Sequence, residues 1–500
     1  MKKQQINSKQ KNGRTVAVAN IIGIVILLSL CLSGCGSKNP LNPKEPVTVS
    51  LWHYQDGSAK AQLDAQISKF NDTVGKKEGI IVDAQSRGNS MQLAEVVFDA
   101  ANKKIGSDPM PDIFTAYPDN AYRIDQLVGL VDLEEYFTKT ELDAYYPTFL
   151  DNDRIGGDNK LKLLPVSKST EALFLNRTDW DKFVSATGAE VSELATWEGI
   201  TKTAENYYNW TDGQTSEPDD GKAFWGIDSM YHFMLMTSKQ VDEEIYGTDA
   251  TGNRVFQYSE MLARRIWDNY YLPYISGWYA KNNTYTSADV AAGTILASVM
   301  STAGGNYFPT EMMENKSAGY PVNCTVLSYP CLTGGAPFAP IRGMDMCISK
   351  SDAAHEYAAA VFLKWLTAPE QNSIHTASIG FLPVQKKALT EEAIVAARAQ
   401  VLEGIPNPNI TMALQSAQEM LKTYTLYNSK PFSGDYEVKQ LLETSLPSLA
   451  GQDLEQIKQR IQQGENRQTL IGEYSAEEHF KQWYRTLVQD ANEILAEKRR

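Results

Sequence analysis

The sequence contains almost none of the residue patterns on which enzyme active sites are commonly built. No H-E-x-x-H, G-x-S-x-G, G-x-x-x-x-G-K-[ST] or C-x-x-C pattern occurs. Histidine is scarce, with five in 500 residues, and no two have the i, i+4 spacing of helical metal ligands. We therefore expect no catalytic residue, no metal site and no cofactor.

Positive charge is also in short supply once the N-terminus is set aside. The formal net charge is −14, and the five charged side chains among residues 1–34 are all basic, so the rest of the chain carries −19. Such an acidic surface repels phosphate, which argues against a nucleic acid partner. A length of 500 residues predicts more than one lobe.

Long hydrophobic runs are absent except for residues 16–32, which follow a basic start and precede the sequence Leu-Ser-Gly-Cys at 32–35. This order predicts a signal peptide over residues 1–34. The L-S-G-C sequence resembles the bacterial lipobox, which implies cleavage before Cys35 and lipid, such as palmitate, on its thiol. A transmembrane helix is the alternative, because the run is near the lower limit of spanning length.

Residues 35–46 are predicted to be the lipidated Cys35 and a polar, proline-broken linker. A lipid at Cys35 would tether the chain to the extracytoplasmic face of the cell membrane. Three cysteines follow the linker, Cys324, Cys331 and Cys347, so at least one stays unpaired within a single chain. A bridge between Cys324 and Cys331 is geometrically possible, but the sequence does not establish it.

Strand and helix patterns alternate from residue 47 onward, which predicts an α/β fold with βαβ units. The strand patterns are 47–52, 80–84 and the segment from 111, and the helical patterns between and after them are 61–70, 91–103 and 121–127. The carboxyl ends of such strands form a crevice for a ligand.

Residues 161–175 hold two extended apolar stretches around a proline, which predicts a strand crossing into a second lobe. Beyond it, residues 288–300 have helical or mixed apolar periodicity, and residues 212–222 and 246–254 read as turn-rich loops. The last 120 residues show a mostly amphipathic helical pattern.

Several segments together resemble one family. The segment FLKWLTAPEQNSIHTASIGFLPVQKKAL at 362–389 is similar to the C-terminal signature of extracellular solute-binding proteins of family 1, the maltose-binding-protein-like group of ABC importers. Upstream, PDIFTAYPDNAYRIDQLVGLVDLEEYF resembles the third strand and following helix of that family, and LPVSKSTEALFLNRTDWDKF resembles its first crossover between lobes.

The resemblance implies a two-lobe, type II periplasmic-binding-protein-like fold with crossover strands between lobes. It places the N-terminal lobe at 47–165 plus 326–380 and the C-terminal lobe at 168–325 plus 385–500. It further implies a monomer that binds a carbohydrate between its lobes and delivers it to the transmembrane subunits of an ABC permease, without enzymatic activity. A secreted glycosidase and a receptor for a sugar-phosphate or glycerol-phosphate solute remain alternatives.

A carbohydrate cleft needs flat aromatic faces beside carboxylates, amides and arginine. Residues of these types lie near predicted strand ends and in loops, and they form the predicted site: Trp52, Tyr54, Asp56, Arg87, Asn89, Tyr117, Asp119, Trp225, Trp278, Tyr279 and Arg342. Ser301 joins them because it begins a loop of small residues, where backbone groups could approach a solute closely. The resemblance adds Glu171, and it matches Asp119 and Glu171 to acidic sugar ligands. Core packing of Trp52 and ordinary ion pairs of the charged residues are the alternative interpretation.

Overall fold

The structure, a computed structural model, describes residues 39–315, 318–401 and 407–498; the predicted signal peptide and Cys35 lie outside these residues. Its strands are β1 (Val47–His53), β2 (Ile80–Ser86), β3 (Ile113–Ala116), β4 (Arg154–Ile155), β5 (Lys160–Leu161), β6 (Leu163–Ser169), β7 (Glu171–Asn176), β8 (Trp225–Ile227), β9 (Tyr246–Thr248), β10 (Arg254–Phe256), β11 (Ala297–Ser301), β12 (Glu311–Asn315), β13 (Ala318–Pro321), β14 (Cys324–Leu327), β15 (Phe338–Pro340), β16 (Arg342–Ile348) and β17 (Thr425–Tyr427).

Helices cover the faces of the sheets and make up most of the C-terminal part. They are α1 (Gly57–Phe70), α2 (Lys76–Glu78), α3 (Ser90–Ala101), α4 (Pro118–Val128), α5 (Lys139–Leu142), α6 (Pro147–Asn152), α7 (Arg177–Thr187), α8 (Trp197–Asp212), α9 (Met230–Gln240), α10 (Glu260–Ile266), α11 (Leu272–Ile275), α12 (Thr286–Ala291), α13 (Ala353–Leu366), α14 (Pro369–Ile379), α15 (Glu391–Val401), α16 (Pro408–Thr423), α17 (Asp435–Gln462), α18 (Arg467–Tyr474) and α19 (Glu477–Glu497).

The first lobe is built on a five-stranded sheet in the order β2-β1-β3-β16-β6. Strands β1, β2 and β3 run parallel, whereas β16 is antiparallel to both β3 and β6. Helices cover this sheet, so β6 is buried along its whole length. The parallel arrangement brings the carboxyl ends of β1 and β3 to one edge of the sheet.

The second lobe is built on a four-stranded sheet in the order β14-β7-β11-β8. Only Thr170 separates β6 of the first sheet from β7 of the second, so the chain crosses between the lobes there. The main chain of Lys168 also pairs with that of Leu382 beside this crossing. The predicted α/β fold with crossover strands is thereby confirmed, while the exact lobe boundaries stay a prediction.

The start of β16 approaches the crossover strand very closely. Gly343 has φ +146°, and a Cβ atom added there would lie 2.1 Å from the main-chain oxygen of Ser167 and 2.8 Å from the Cα of Lys168. The pairing of β16 with β6 also shifts register between Met344 and Asp345. Only glycine fits this close approach of two main chains.

A buried ionic triad lies directly beneath the same crossing. Lys168 Nζ lies 2.9 Å from Asp153 Oδ1 and 2.5 Å from Asp345 Oδ1, and all three side chains are almost fully buried. Burial raises the pKa of Asp345 well above its ordinary value, and the charge of Asp153 adds to this rise. The triad therefore ties β6 and β16 to the β4 hairpin through buried charges.

Residues 288–300 differ from the expected helical or mixed pattern. Helix α12 ends at Ala291, and the apolar residues from Ala297 form strand β11, which pairs with β7 and β8. A short apolar run fits a buried strand as well as a helix, and sheet pairing decides here. The segment expected to be a loop at 246–254 holds the hairpin of β9 and β10.

The long helix α17 links the C-terminal residues to both lobes. It packs mainly against α9, α11 and α19 and also reaches α4 of the first lobe. The Glu443 carboxylate accepts hydrogen bonds from Ser229 Oγ and from the main-chain N–H groups of Met230 and Tyr231. These bonds satisfy free donors at the start of α9 and fix α17 to the second lobe.

The residues just before β1 lie on the first lobe. Asn39 Nδ2 donates to Glu78 Oε2 at 3.2 Å. The main chain of Asn42 and Pro43 lies so close to Gly79 that a Cβ atom there would meet it at 2.7–2.8 Å. This part of the predicted linker therefore has a defined place on the protein surface.

Cys324, Cys331 and Cys347 are free thiols in this structure. Cys324 and Cys347 are buried, and Cys331 is partly accessible. Within the described residues, no helix combines the length and apolar character that crossing a membrane requires.

Two buried histidines are expected to make the fold sensitive to acid. Burial lowers the pKa of both His53 and His375 to about 4, below the 6.5 of an exposed imidazole. A depressed histidine pKa means that the unfolded chain binds the proton more readily, so stability is full above about pH 6.5 and is lost as the pH falls. Between pH 7 and pH 5, each histidine should lower the free energy of unfolding by about 2 kcal/mol.

Urea denaturation of the wild type and of the His53→Gln and His375→Gln variants at both pH values checks this expectation. Each substitution should flatten the pH dependence of the unfolding free energy. An unchanged slope in both variants would show that other groups control the acid sensitivity.

Candidate functional site

The candidate site lies at the junction of the two lobes, where the ends of β1 and β3, the start of β16 and the crossover meet. Tyr54 directly follows β1, and Tyr117 is the residue before α4 at the end of β3. Their rings stack with centroids 6.3 Å apart and an interplanar angle of 21°. Burial raises the pKa of Tyr54 well above its ordinary value, and Tyr117 adds to this rise, so the Tyr54 hydroxyl group stays protonated.

Glu171 and Arg342 form an ion pair that joins the strands crossing between the lobes. Arg342 Nη1 donates to Glu171 Oε1 at 2.7 Å, and His232 Nδ1 lies 2.8 Å from the same oxygen. Burial opposes ionisation of Glu171, but His232 and Arg342 outweigh it and lower the pKa of this carboxyl group. Glu171 is fully buried, whereas 25% of the Arg342 side chain stays exposed. The guanidinium group is therefore the accessible end of the pair.

Asp119 and Lys439 form a second ion pair, which joins α4 to α17. Lys439 Nζ lies 2.7 Å from Asp119 Oδ2, and it also lies 5.6 Å from the ring centroid of Tyr117 and 5.3 Å from that of Tyr231. Burial opposes ionisation of Asp119, but Lys439 outweighs it and lowers the pKa of the carboxyl group. Lys439 was missed from the sequence because it lies far along the chain in an ordinary helical pattern.

The second-lobe side of the junction carries residues that the sequence analysis also missed. Tyr285 and Tyr307 are 62% and 67% exposed. The pKa of Tyr285 is raised, first by partial desolvation of its hydroxyl group and then by Tyr117, with Arg342, Asp228 and Tyr307 also close enough to act on it. Exposed rings of this size are available to contact a ligand.

Asp228 lies beside these rings, between β8 and α9. Its carboxylate accepts hydrogen bonds from the N–H and the hydroxyl of Thr286, at 2.9 and 2.8 Å. Burial raises the pKa of Asp228, and Thr286, Lys281 and Arg342 partly offset this rise. A search for charged residues after each second-lobe strand would have found it.

Three other predicted residues of the first lobe, Trp52, Arg87 and Asn89, contact their own lobe. Arg87 lies over the Trp52 ring, with Cζ 4.2 Å from the centroid, and pairs with Asp108 at 2.9 Å. Asn89 caps α3 through its side chain, and Asp56 is an exposed residue at the start of α1. A part for these four residues in solute binding stays a prediction.

The predicted residues of the second lobe are mostly packed inside it. Trp225 and Tyr279 are buried against each other with ring centroids 5.0 Å apart, and Trp278 is half-buried beside the core. Ser301 ends β11 and donates to Ser169 Oγ of β6 at 3.2 Å, so it lies at the crossing of the lobes. Their role in solute contact also stays a prediction, and Ser301 is the best placed of them.

Two cavities of about 230 and 430 Å³ lie elsewhere, along α15 and α16. They contain none of the predicted site residues. Among the residues that the structure describes, no group of three His, Cys, Asp or Glu side chains is arranged to hold a metal ion. Among the described residues, the junction instead brings together predicted residues from both lobes, including Tyr54, Tyr117, Glu171 and Arg342.

The sequence matches one family of known proteins. A family model described as bacterial extracellular solute-binding protein matches residues 65–401. No curated protein matches the chain significantly in sequence.

Solved structures show the same two-lobe architecture at low sequence identity. A cyclic α-maltosyl-1,6-maltose binding protein from Arthrobacter globiformis is 17% identical, covers 90% of this chain and 99% of its own, and has a TM-score of 0.61. An ABC substrate-binding protein from Listeria monocytogenes in complex with cycloalternan is 14% identical, with coverages of 89% and 99% and a TM-score of 0.61. UgpB from Mycobacterium tuberculosis in complex with glycerophosphocholine is 16% identical, with coverages of 89% and 98% and a TM-score of 0.59. The predicted periplasmic-binding-protein-like fold is thus confirmed.

Proposed function

Because the chain belongs to the family of bacterial extracellular solute-binding proteins, we propose that it is the receptor of an ABC importer for a carbohydrate. The solute lies between the two lobes, which close on it, and the loaded protein delivers it to the permease. Lipid on Cys35 holds the protein, as a monomer, at the extracytoplasmic face of the cell membrane.

One observation supports this proposal most strongly: tyrosine rings and charged groups that can form hydrogen bonds lie together at the lobe junction. Tyr54 and Tyr117 of the first lobe and Tyr285 and Tyr307 of the second supply flat apolar faces. Sugar rings present C–H faces that pack on such rings and hydroxyl groups that need donors and acceptors. Arg342 supplies donors, and Asp228 supplies acceptors.

Binding of neutral saccharides to the purified protein is the direct test of the proposed function. The chain from residue 36 onward, mixed with mono- and oligosaccharides, should gain thermal stability with at least one of them and bind it with roughly micromolar affinity, about −8 kcal/mol. Isothermal titration calorimetry measures the affinity. Absence of binding across a broad panel would refute the carbohydrate assignment.

Removal of either exposed ring should weaken that binding without harming the fold. Tyr285→Ala and Tyr307→Ala should each lower the affinity for the bound saccharide about tenfold, because each removes one stacking face. Met261→Ala is the control, since Met261 is equally exposed at 68% but lies on α10. Unchanged affinity in both tyrosine variants would place the solute elsewhere.

A glycosidase is the second candidate, because one observation favours it. The pKa of Asp228 is raised and that of Glu171 is lowered, which is the contrast that an acid and a nucleophile need. Arg342 and His232 already engage Glu171, however, and this favours a binding role. Release of reducing sugar from oligosaccharides by the purified protein would reverse the assignment.

A further inference from the structure

Every cation that the structure places at the junction already has a carboxylate beside it. Arg342 pairs with Glu171, Lys439 pairs with Asp119, and Lys168 lies between Asp153 and Asp345. Lys281 Nζ donates to the main-chain oxygen of Asp228 at 2.7 Å, and its charge acts on the Asp228 carboxyl group. Within the described residues, the junction therefore offers an anion no positive charge that is not already compensated.

The compensation of Arg342 is the most important case, because its charge acts on tyrosines of both lobes, Tyr54 and Tyr285. Its partner Glu171 is fully buried, so solvent does not screen the pair in the way it screens a surface ion pair. An entering phosphate or carboxylate group would have to displace Glu171 from the guanidinium group. It would then leave a buried negative charge without its partner.

One of the two carboxylate oxygens of Glu171 also lacks a hydrogen-bond donor among the described residues. Oε1 is engaged by Arg342 and His232, whereas Oε2 is buried with no partner among the described residues. A hydroxyl group can donate to such an oxygen, but a deprotonated phosphate or carboxylate oxygen cannot. The unfilled position therefore matches the chemistry of a neutral sugar.

We infer that the junction selects uncharged saccharides and rejects solutes that carry a phosphate or carboxylate group, and that Glu171 determines this specificity. The inference rests on the proposed function, since it narrows the class of carbohydrate. It places Glu171 as the residue that cancels the charge of Arg342, while the guanidinium N–H groups that do not bind Glu171 donate to hydroxyl oxygens. It also sets the solute apart from the sugar-phosphate and glycerol-phosphate alternatives.

The first arm of the test compares solutes that differ in charge. The chain from residue 36 onward is titrated with glucose, maltose and maltotriose, and in parallel with glucose 6-phosphate, glucuronate and inorganic phosphate. We expect the best neutral ligand to bind at least about tenfold more tightly than any anionic probe. Equal or tighter binding of an anionic probe to the wild type would overturn the inference, although a carbohydrate receptor would remain.

The second arm removes the compensating charge and needs no saccharide. Glu171→Gln keeps the shape of the side chain but leaves the charge of Arg342 uncompensated. This variant should bind inorganic phosphate at least about tenfold more tightly than the wild type, and the gain should disappear in high salt. Absence of any gain would overturn the inference even if neutral sugars bind.

Two further variants make the second arm decisive. Glu198→Gln breaks a more exposed Glu–Arg pair away from the junction, in which Arg265 Nη2 lies 2.5 Å from Glu198 Oε1, and should give no such gain. Asp119→Asn frees Lys439 at the junction in the same way and should increase phosphate binding if Glu171→Gln does not fold. Circular dichroism identifies the folded variants. If no saccharide of either charge binds, the proposed function and the selection of neutral saccharides both fail, and the phosphate arm shows only whether Glu171 cancels the charge of Arg342.

Discussion

Gly343→Ala is expected to destabilise the protein by about 4 kcal/mol or more, because the added methyl group would collide with main-chain atoms of the crossover strand. The added Cβ would lie 2.1 Å from the Ser167 oxygen and 2.8 Å from the Lys168 Cα, and both are main-chain atoms that a side-chain rotation cannot move. The positive φ of 146° adds strain for any L residue. Urea or thermal denaturation should show a large drop in midpoint.

The control for this substitution is Gly472→Ala in α18. An added Cβ there meets nothing within 4 Å, and alanine favours a helix over glycine by about 1 kcal/mol. The control should therefore be neutral or stabilising. If Gly343→Ala behaves like Gly472→Ala, β16 can move away from β6, and the close approach is not a constraint.

Lys168→Met is expected to cost about 3–5 kcal/mol at pH 7, because it leaves two buried carboxyl groups without their shared cation. Asp153 and Asp345 are 0% and 2% exposed, so water cannot replace the ammonium group. Without Lys168, the folded-state pKa of both carboxyl groups rises above the unfolded value of about 3.9. The variant should therefore regain stability as the pH falls from 8 to 5, since the folded state then binds more protons.

The matched variant removes all three charges. Lys168→Met combined with Asp153→Asn and Asp345→Asn should recover most of the stability that Lys168→Met alone loses, because no buried charge remains. Denaturation midpoints at pH 8 and pH 5 measure both effects. A Lys168→Met protein with wild-type stability at pH 8 would show that the triad contributes nothing to holding the strands at the lobe crossing.

The sequence predicts the first lobe better than the second for a physical reason. The early strands and helices alternate with clear periodicity, and β1, β2 and β3 lie where the patterns place them. In the second lobe, β11 is a short apolar run, whose state depends on pairing with β7 and β8. Such pairing is a long-range contact that local pattern does not encode.

The candidate site could likewise be predicted only in part, because local sequence patterns do not encode long-range contacts. Tyr54, Tyr117, Asp119, Glu171 and Arg342 meet at the junction because strand ends and the crossover position them. Trp225 and Tyr279 have the same residue chemistry as the cleft residues, but the structure packs them inside the second lobe.

Other residues reach the junction without any local signal. Tyr285 and Tyr307 lie in loops next to short helical turns, and Lys439 arrives on a helix more than 300 residues after its partner Asp119. Aromatic and charged residues can therefore be identified from the sequence, but their exposure depends on how the lobes pack.

The contact of Asn39 with Glu78 has a consequence for the attachment of the protein. If Cys35 carries lipid as proposed, only the four residues from 36 to 39 separate the acyl chains from the folded surface, a reach of about 14 Å at most. The protein would then be attached close to the bilayer at one point on its first lobe, and its rotation would be restricted. Its search for the permease would become a two-dimensional one, with a narrow range of approach angles.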